Sequence, residues 1–427
     1  MTMQMIIALA ITVLMILLIM RDKLPFGVPP LIACLLLVVT GVADIKMAFG
    51  GFANSTIMML AAFMAIIAAL QKTSFITTFK TTIFNMAKKG GFKAYTLLIV
   101  VVMLGTSLFG MGSTAYYVLV IGLLSALPEN KALAPSKVLM PAGFAANHPL
   151  APFNTALQYG VTVAVLGAAG AATNVNLVQF SIVNLILSLA FLAWSLLAYK
   201  ILPEHPISTS TGEYSDNLAE EHKTQLTKKQ EFVTYFSFAF AVIGMVAQSY
   251  VGDAGYALTG LAVLPIFLVG VLDFSEIRNA ISAPIILMSA GVIGVADALG
   301  STGLTEMVGK SVADMLGSDI NPFLLIFTFC ILTSLLATLT GSTLGTVYVF
   351  APLAIATCLQ LGFNPTAAAS AIVISGWCGH FLPVDGMPAL IMGTGKYTMI
   401  EFWKFTIPQY FIRLLALTAG ALILFPV

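Results

Sequence analysis

Charged side chains are scarce in this chain of 427 residues. Only 9% are Asp, Glu, Lys or Arg, whereas ordinary soluble domains contain roughly 25%. Hydrophobic residues make up 59%, and the mean hydropathy is +1.00. This number of charged side chains is too small to cover the surface of a soluble protein of this length. We therefore expect most of the chain to lie in membrane lipid. The net charge of +1 also excludes a basic surface for nucleic acid.

Cysteine and histidine are equally scarce, with four of each. The cysteines lie in apolar segments and do not have the spacing of a zinc site or a disulfide framework. We therefore expect them to act as small, buried hydrophobic side chains. The chain has no His-x-x-x-His pair and only one deep acid, Asp385, whereas aspartyl proteolysis needs two. We therefore expect neither an enzyme nor a cofactor. The cysteines are Cys34, Cys330, Cys358 and Cys378.

Long apolar runs dominate the chain instead. A helix needs roughly 20 mostly apolar residues to cross the hydrocarbon. The first run is followed by its charges, whereas a cleaved signal peptide is preceded by them, so we interpret it as a retained span. Two runs, 95–126 and 322–360, are too long for one span and short for two, and we predict re-entrant hairpins there. The predicted spans are 4–20, 26–43, 54–71, 137–167, 177–200, 231–249, 256–272, 279–298, 366–393 and 403–425.

Basic residues indicate the orientation of these spans. If the first helix runs inward and each hairpin returns to its own side, every Lys and Arg except Lys46 and Lys310 faces the cytoplasm, Arg413 included. The one markedly polar segment then becomes a cytoplasmic linker. The sequence thus predicts an all-helical, multi-pass protein of the inner membrane. Its domains are a first repeat, 1–202, with broken helix 137–167, a linker, 203–230, and a second repeat, 231–427, with broken helix 366–393.

The two hairpins carry the same three residues near their middle, in "MGSTAYYVLV" and "LTGSTLGTVYV". A shift of 229 positions, the separation of Gly112 and Gly341, superposes the triplets. Broken backbone at membrane depth is tolerated only where protein buries it or water reaches it. Because the hairpins enter from opposite sides, the halves are predicted to be inverted repeats, which are typical of secondary transporters with a midplane site. Small residues for helix packing are the structural alternative.

Each hairpin is followed by a span that contains a histidine and then prolines. The first has His148 before Pro149, and the second has His380 before Pro383 and Pro388. Proline inside a helix removes a hydrogen bond and frees a carbonyl. Freed carbonyls coordinate cations, and helix N-termini attract anions. A hairpin tip that faces a broken helix can therefore bind an anion together with a cation.

At these motifs the chain resembles the divalent anion/sodium symporters (citrate, dicarboxylate and sulfate carriers) of the ion-transporter superfamily. "FLPVDGMPALIMGTGKYT" resembles that family's second broken helix, and Pro152-Phe153-Asn154 resembles its first turn. The resemblance implies an elevator-like motion, a homodimer and Na⁺ as the candidate coupling ion. The family's tip serines are replaced by Gly112 and Gly341, its tip asparagines by Ser113 and Ser342, and an asparagine of the second turn by Ala389.

Asp385 stands where that family has a small neutral residue, and an intramembrane carboxylate marks an ion or proton path by default. The two histidines titrate near neutral pH and could carry protons or face an anion. Each of these residues also has a structural alternative. Asp385 could cap the half-helix that follows the break, and each histidine could form a hydrogen bond with a freed carbonyl. Predicted to couple a cation or proton are Gly112, Ser113, Gly341, Ser342 and Asp385. Predicted to bind substrate are Ser113, Thr114, Asn154, Ser342, Thr343, Pro388, Thr394, His148 and His380.

The expected function is secondary active transport of small organic anions, with di- or tricarboxylates first. Na⁺, H⁺ or anion exchange could drive it, and the expected partners are the anion, membrane lipid and a second copy of the chain. A Na⁺/H⁺ antiporter that uses Asp385 is the alternative with the same fold. Paired inverted hairpins disfavour a channel, which does not need two gated half-sites.

Overall fold

The computed structural model describes most of the chain. Within the described part it is entirely helical, which confirms the predicted fold class. The described residues are 1–20, 24, 27–74, 78, 81–83, 85–86, 89–125, 133–151, 156–205, 207, 226–304, 307, 320–340, 343–382 and 386–426.

Nineteen α-helices and two short 3₁₀ turns, Gly50–Ala53 and Ala198–Lys200, occur in these residues. The helices of the first half are α1 (Met3–Met20), α2 (Val28–Val39), α3 (Ile45–Ala48), α4 (Ser55–Gln71), α5 (Gly91–Phe109), α6 (Thr114–Ser125), α7 (Pro135–Ala145), α8 (Ala156–Ala168) and α9 (Leu177–Leu197). The helices of the second half are α10 (Lys228–Val251), α11 (Asp253–Leu261), α12 (Val263–Leu268), α13 (Phe274–Ile281), α14 (Pro284–Thr302), α15 (Pro322–Thr340), α16 (Thr343–Leu361), α17 (Pro365–Ser375), α18 (Gly386–Gly395) and α19 (Met399–Leu424).

Five of the described helices are long and apolar enough to cross a membrane: α5, α9, α15, α16 and α19. Both helices of the second hairpin, α15 and α16, reach that length, whereas α6 in the first hairpin has only 12 residues. An antiparallel pair returns the chain to the side it came from, whether or not its tip reaches the opposite surface. The predicted partition of basic residues therefore does not depend on how deep each hairpin reaches.

The predicted spans 137–167 and 366–393 are both interrupted. The first is divided into α7 and α8, and the second into α17 and α18, as the prolines indicate. The predicted span 256–272 has a local break of one residue, because α11 ends at Leu261 and α12 begins after Ala262. Pro265 explains this break, since it has no N–H to donate to the carbonyl of Leu261.

The interrupted helices cross each other at their breaks. Helix α7 packs on α18, and α8 packs on α17, so each half-helix contacts a half-helix from the other half of the chain. The hairpins follow the same rule: α6 packs on α7 and α18, and α16 packs on α17 and α8. Helices α9 and α19 pack against each other beside this centre. Equivalent helix pairs thus form in both halves, while the repeat boundaries at 202 and 231 stay a prediction.

Polar contacts join chain segments that the basic residues place on the cytoplasmic side. Lys72, after α4, forms an ion pair of 2.5 Å with Glu276 of α13. The backbone N–H of Ser74 donates to Glu231 of α10 at 2.6 Å. Partly exposed pairs of this kind add little stability. They do require the ends of three predicted spans to lie at one membrane surface.

A second set of contacts agrees with the same orientation. Lys137, at the start of α7, pairs with Glu204, at the start of the predicted linker. At the opposite surface, the side-chain amide of Asn364 donates to the carbonyl of Pro426 at 3.0 Å. That bond joins the start of α17 to the end of α19, both of which the sequence places outside.

Candidate functional site

The tip of the first hairpin contacts both broken helices. The backbone N–H of Gly112 donates to Oδ1 of Asn147, in the first break, at 2.8 Å. Gly112 has φ +83°, and a Cβ built on it would lie 3.1 Å from Nε1 of Trp377, in the second break. A side chain here would be strained and crowded. The predicted tip therefore sits where the two breaks meet.

Hydroxyl groups of α5 satisfy backbone groups of the first break. Thr106 donates from Oγ1 to the carbonyl of Ala145 at 2.9 Å. Ser107 accepts from the backbone N–H of Ala151 at 2.8 Å. The hairpin and the first broken helix are thus joined by specific bonds, which non-helical backbone at membrane depth requires.

The second break is bonded in a similar way. Thr338 of α15 donates to the carbonyl of Gly379, whose backbone packs directly against that helix. Trp403 of α19 donates from Nε1 to the carbonyl of Phe381 at 2.9 Å. Two further carbonyls of this break are bonded by a cation.

That cation is Arg413 of α19. Its Nη2 donates to the carbonyl of Trp377 at 3.1 Å, and its Nη1 to the carbonyl of Cys378 at 3.4 Å. The side chain has 0% exposure, and Nε has no hydrogen-bond partner in the described part of the chain. No ion pair to Arg413 occurs among the described residues either. A guanidinium keeps its charge in proteins, so the centre of the molecule holds a buried positive charge.

The prediction that Arg413 faces the cytoplasm is therefore wrong. Counting basic residues treats every Lys and Arg as lying in a loop, but this one lies in the middle of the predicted span 403–425. Its depth in that run was the signal that could have identified it. The repeat was a second signal, because a shift of 229 positions places Asn184 over Arg413.

The two predicted histidines lie near the same guanidinium. His148 is fully buried, its ring stacks on Phe191 with centroids 3.8 Å apart, and its Nδ1 lies 2.7 Å from the carbonyl of Phe144. The ring of His380 stacks with the ring of Phe144, with centroids 6.1 Å apart. His380 lies two residues after Cys378, whose carbonyl bonds to Arg413, and both histidines are close enough to Arg413 to feel its positive charge. Positions predicted separately in the two halves are thus brought together.

One face of α9, which the sequence analysis did not single out, completes this centre. Asn184, Ser188 and Phe191 lie one turn apart on that face and are all buried. Phe191 stacks on His148, and the Asn184 amide lies 3.9 Å from the sulfur of Met111 at the hairpin tip. The α9 face therefore lines the space between the first tip and the first break.

Several buried polar atoms at this centre have no hydrogen-bond partner within the described ranges. Such groups in a native structure call for an explanation, and a bound ligand or water supplies one. Amide, hydroxyl and imidazole groups beside a fixed positive charge are suited to an anion that also offers oxygen atoms. The atoms are Nδ2 of Asn147, Nε2 of His148, Oδ1 of Asn184, Oγ of Ser188 and Nε of Arg413.

The predicted tip residues occupy helix starts. Ser113 directly precedes α6, and its hydroxyl accepts from the backbone N–H of Tyr116 at 3.4 Å, as an N-cap does. Thr114 is the first residue of α6, and Thr343 is the first residue of α16. The methyl group of Thr343 faces Gly376 of the second break, 3.1 Å from a Cβ built there. Both hairpins thus direct the start of a helix toward the breaks.

The remaining predicted residues lie in two places. Pro388 is buried near the start of α18. Thr394 lies near the far end of that helix, about 12 Å from its first residue at 1.5 Å per residue. Four predicted residues lie outside the described ranges: Asn154, Gly341, Ser342 and Asp385.

With this geometry in place, the chain can be compared with known proteins. Residues 15–373 match the citrate transporter family, CitMHS. The chain belongs to that family. This CitMHS member is 24% identical over 156 residues to the uncharacterized transporter YfbS of Escherichia coli strain K12, which covers 36% of the chain and 25% of YfbS. It is 26% identical over 171 residues to the uncharacterized transporter sll0640 of Synechocystis, covering 37% and 28%. The matched part therefore spans about a quarter of the length of these relatives.

Two solved transporters share the fold of this CitMHS member. The YdaH transporter of Alcanivorax borkumensis aligns with a TM-score of 0.57 and 15% identity, covering 88% of this chain and 87% of YdaH. MtrF of Neisseria gonorrhoeae, from a class of antimetabolite efflux pumps, aligns with a TM-score of 0.58 and 16% identity, covering 91% and 84%. At such identities the likeness concerns the fold alone. The chain is a multi-pass membrane protein of the citrate transporter family.

Proposed function

We propose that this transporter moves small organic anions, with di- and tricarboxylates first, by secondary active transport. The observation that carries the proposal is the buried guanidinium of Arg413 beside His148 and His380, with no carboxylate paired to it in the described part of the chain. A buried positive charge attracts an anion far more strongly than an exposed one does. The match to the citrate transporter family supports the same substrate class.

The proposed substrate site lies between the first hairpin tip, the first break and the α9 face. The side-chain amide of Asn147 would donate to a carboxylate oxygen. His148 directs Nδ1 to the carbonyl of Phe144, so its Nε2 would accept a hydrogen bond from a hydroxyl or a protonated carboxyl of the substrate. The start of α6, capped by Ser113, adds the partial positive charge of a helix N-terminus. A hydroxyl of the substrate could bond with Asn184 and Ser188 of α9. The equivalent tip residues Ser342 and Thr343 of the second hairpin are proposed to close the other side.

The proposed motion is of the elevator type, which the family resemblance implies. The hairpins and broken helices are bonded to one another through Thr106, Thr338 and Gly112, so they can move as one body. Helix α14, which packs on α1 and α2, contacts this body through α8. That contact is where sliding would occur. A homodimer held together by the outer helices belongs to the same proposal.

Stabilisation by ligands tests the substrate class. Purified protein should gain stability from citrate or a dicarboxylate such as succinate, because a ligand that binds only the folded state raises the melting temperature. A ligand at about 100 times its Kd adds about 2.7 kcal/mol. Thermal unfolding is measured with citrate, succinate, a monocarboxylate and sulfate, each with Na⁺ or choline and at two pH values. Stabilisation by Na⁺ alone, with no response to any anion, would favour the Na⁺/H⁺ antiporter instead.

Asp385 is proposed to take part in cation or proton coupling. Replacement by asparagine keeps the size of the side chain and removes its ionisation, so Asp385→Asn should lose the dependence of uptake on the pH or Na⁺ gradient. Citrate uptake by proteoliposomes is compared with and without each gradient. The matched control is Asp297→Asn, since Asp297 is an exposed residue of α14, outside both broken helices. An unchanged pH profile and cation dependence in Asp385→Asn would refute this role.

A further inference from the structure

The second break exposes two backbone carbonyls that a continuous helix would have bonded. In an α-helix the carbonyls of Trp377 and Cys378 would accept from the N–H groups four residues later. Helix α17 has already ended at Ser375, and the N–H of Phe381 donates instead to Gly379 at 2.7 Å. The two carbonyls are therefore released toward the centre of the protein.

Released carbonyls at a broken membrane helix are ligands suited to a small cation. In transporters built from inverted repeats, unwound backbone of this kind coordinates Na⁺ or lies beside a proton-carrying group. Here the positive charge that contacts the released carbonyls is a side chain of the protein itself. Arg413 reaches both carbonyls, Trp377 at 3.1 Å and Cys378 at 3.4 Å, from α19.

The neighbouring carbonyls of the same break are also bonded by side chains. Gly379 accepts from Thr338, and Phe381 accepts from Trp403. Together with Arg413, these donors bond four carbonyls in the described part of the break. None of these four carbonyls needs a mobile cation as its partner.

We infer that the guanidinium of Arg413 is a tethered cation that takes the place of a coupling Na⁺ at the second break. The inference rests on the proposed function and narrows its coupling: anion transport needs no Na⁺, so the gradient that drives it through Asp385 is that of protons. The fixed charge both satisfies the released carbonyls and supplies the positive potential that an anionic substrate requires. A guanidinium cannot dissociate, so it cannot transmit a sodium gradient.

The equivalent position in the first half of the chain holds no such cation. The residue equivalent to Arg413 is the neutral Asn184, which contacts the sulfur of Met111 instead of backbone carbonyls. Its Oδ1, and the free atoms of Asn147 and His148, have no partner in the described part of the chain. The first break thus keeps polar groups available for a ligand, whereas the second break is occupied by its own cation.

The experiment measures citrate uptake into proteoliposomes with Na⁺ or choline as the external cation. Wild-type uptake should be the same in both. Arg413→Gln should lose uptake in choline by about 100-fold, because two buried carbonyls lose their donor. Part of that loss should be recovered by Na⁺ or by guanidinium ion, which fill the vacated position. Arg413→Lys keeps the charge and should remain independent of Na⁺.

Arg278→Gln is the matched control, because Arg278 is exposed on α13 and donates to Ser275. It should behave as the wild type. A second measurement needs no transport: Na⁺ should stabilise purified Arg413→Gln against thermal unfolding but not the wild type. If Arg413→Gln does not fold, the Na⁺ response of the wild type and of Arg413→Lys still decides.

Several results would overturn the inference. One is wild-type uptake that requires Na⁺, and another is wild-type uptake by Arg413→Gln in choline. A third has two parts: neither Na⁺ nor guanidinium restores or stabilises Arg413→Gln, and Arg413→Lys has a raised KM for citrate. That result would make Arg413 a substrate ligand. If no anion binds to the wild type, the proposed function fails, while the Na⁺ stabilisation comparison still tests Arg413.

Discussion

Gly379→Ala should abolish transport and destabilise the protein. A Cβ at Gly379 would lie 1.9 Å from Oγ1 of Thr338 and 2.2 Å from the backbone carbonyl of Ser334. The hydroxyl could rotate away, but the carbonyl belongs to α15 and cannot move without displacing that helix. Overpacking of this kind costs about 1–3 kcal/mol or more. The bond from Thr338 to Gly379 would also be lost, for about 1 kcal/mol more.

Gly393→Ala is the matched control for this prediction. Gly393 lies in α18, the second part of the same broken helix, and a Cβ there would meet nothing within 4 Å. Alanine is preferred over glycine inside a helix by about 1 kcal/mol, so this variant should be as stable as the wild type or more so. Thermal unfolding of the purified variants and citrate uptake measure both effects. Equal stability of the two variants would show that the second break does not pack on α15 as closely as described.

Gly112→Ala should reduce transport by about tenfold, which corresponds to 1.4 kcal/mol lost from the transport-competent arrangement. Its φ of +83° disfavours any side chain by about 1 kcal/mol. The added methyl group would also press on Trp377, whose Nε1 lies 3.1 Å from the built Cβ. The strain would act on the hydrogen bond from Gly112 to Asn147, which joins the tip to the first break. Uptake kinetics and thermal unfolding are measured together.

Gly362→Ala separates the two causes. Gly362 follows α16 with φ +76°, nearly that of Gly112, but a Cβ there would meet nothing within 4 Å. Both variants should therefore lose similar stability from backbone strain, and only Gly112→Ala should lose transport. If uptake falls equally in both, strain alone accounts for the effect, and the contact between the tip and Trp377 has no role in transport.

The buried charge and the hairpin tips suggest a division of labour between the two breaks. In the second break, side chains from α15 and α19 bond the released carbonyls, and Arg413 provides a fixed positive charge. In the first break, Asn147 and His148 keep atoms free for a ligand in the described part of the chain. The two breaks thus have similar backbones but different side chains. The first break would bind the substrate, while the second break supplies the fixed positive charge of Arg413.

The sequence by itself determined that the chain lies in a membrane, that its fold is all-helical and where the two broken helices are interrupted. Low charge and long apolar runs specify a lipid environment, because charged side chains are costly in hydrocarbon and this chain has few of them. The prolines after His148 and His380 lie where the two broken helices are interrupted, because proline removes a backbone donor. Proline alone does not specify a break, since Pro141, Pro352 and Pro408 lie inside continuous helices. The repeated triplets likewise marked the residues between or at the starts of hairpin helices, as at Ser113 and Thr343.

Only the tertiary structure decided which side chains meet. The crossing of α7 with α18 and of α8 with α17 brings the two histidines to Arg413 and turns the Asn184 face of α9 toward the first tip. In a chain where nearly every helix face is apolar, hydropathy does not distinguish a face that meets lipid from one that meets protein. The burial of Arg413 depends on which helices surround it, and that is a property of the packed bundle, whereas the breaks depend on local backbone chemistry.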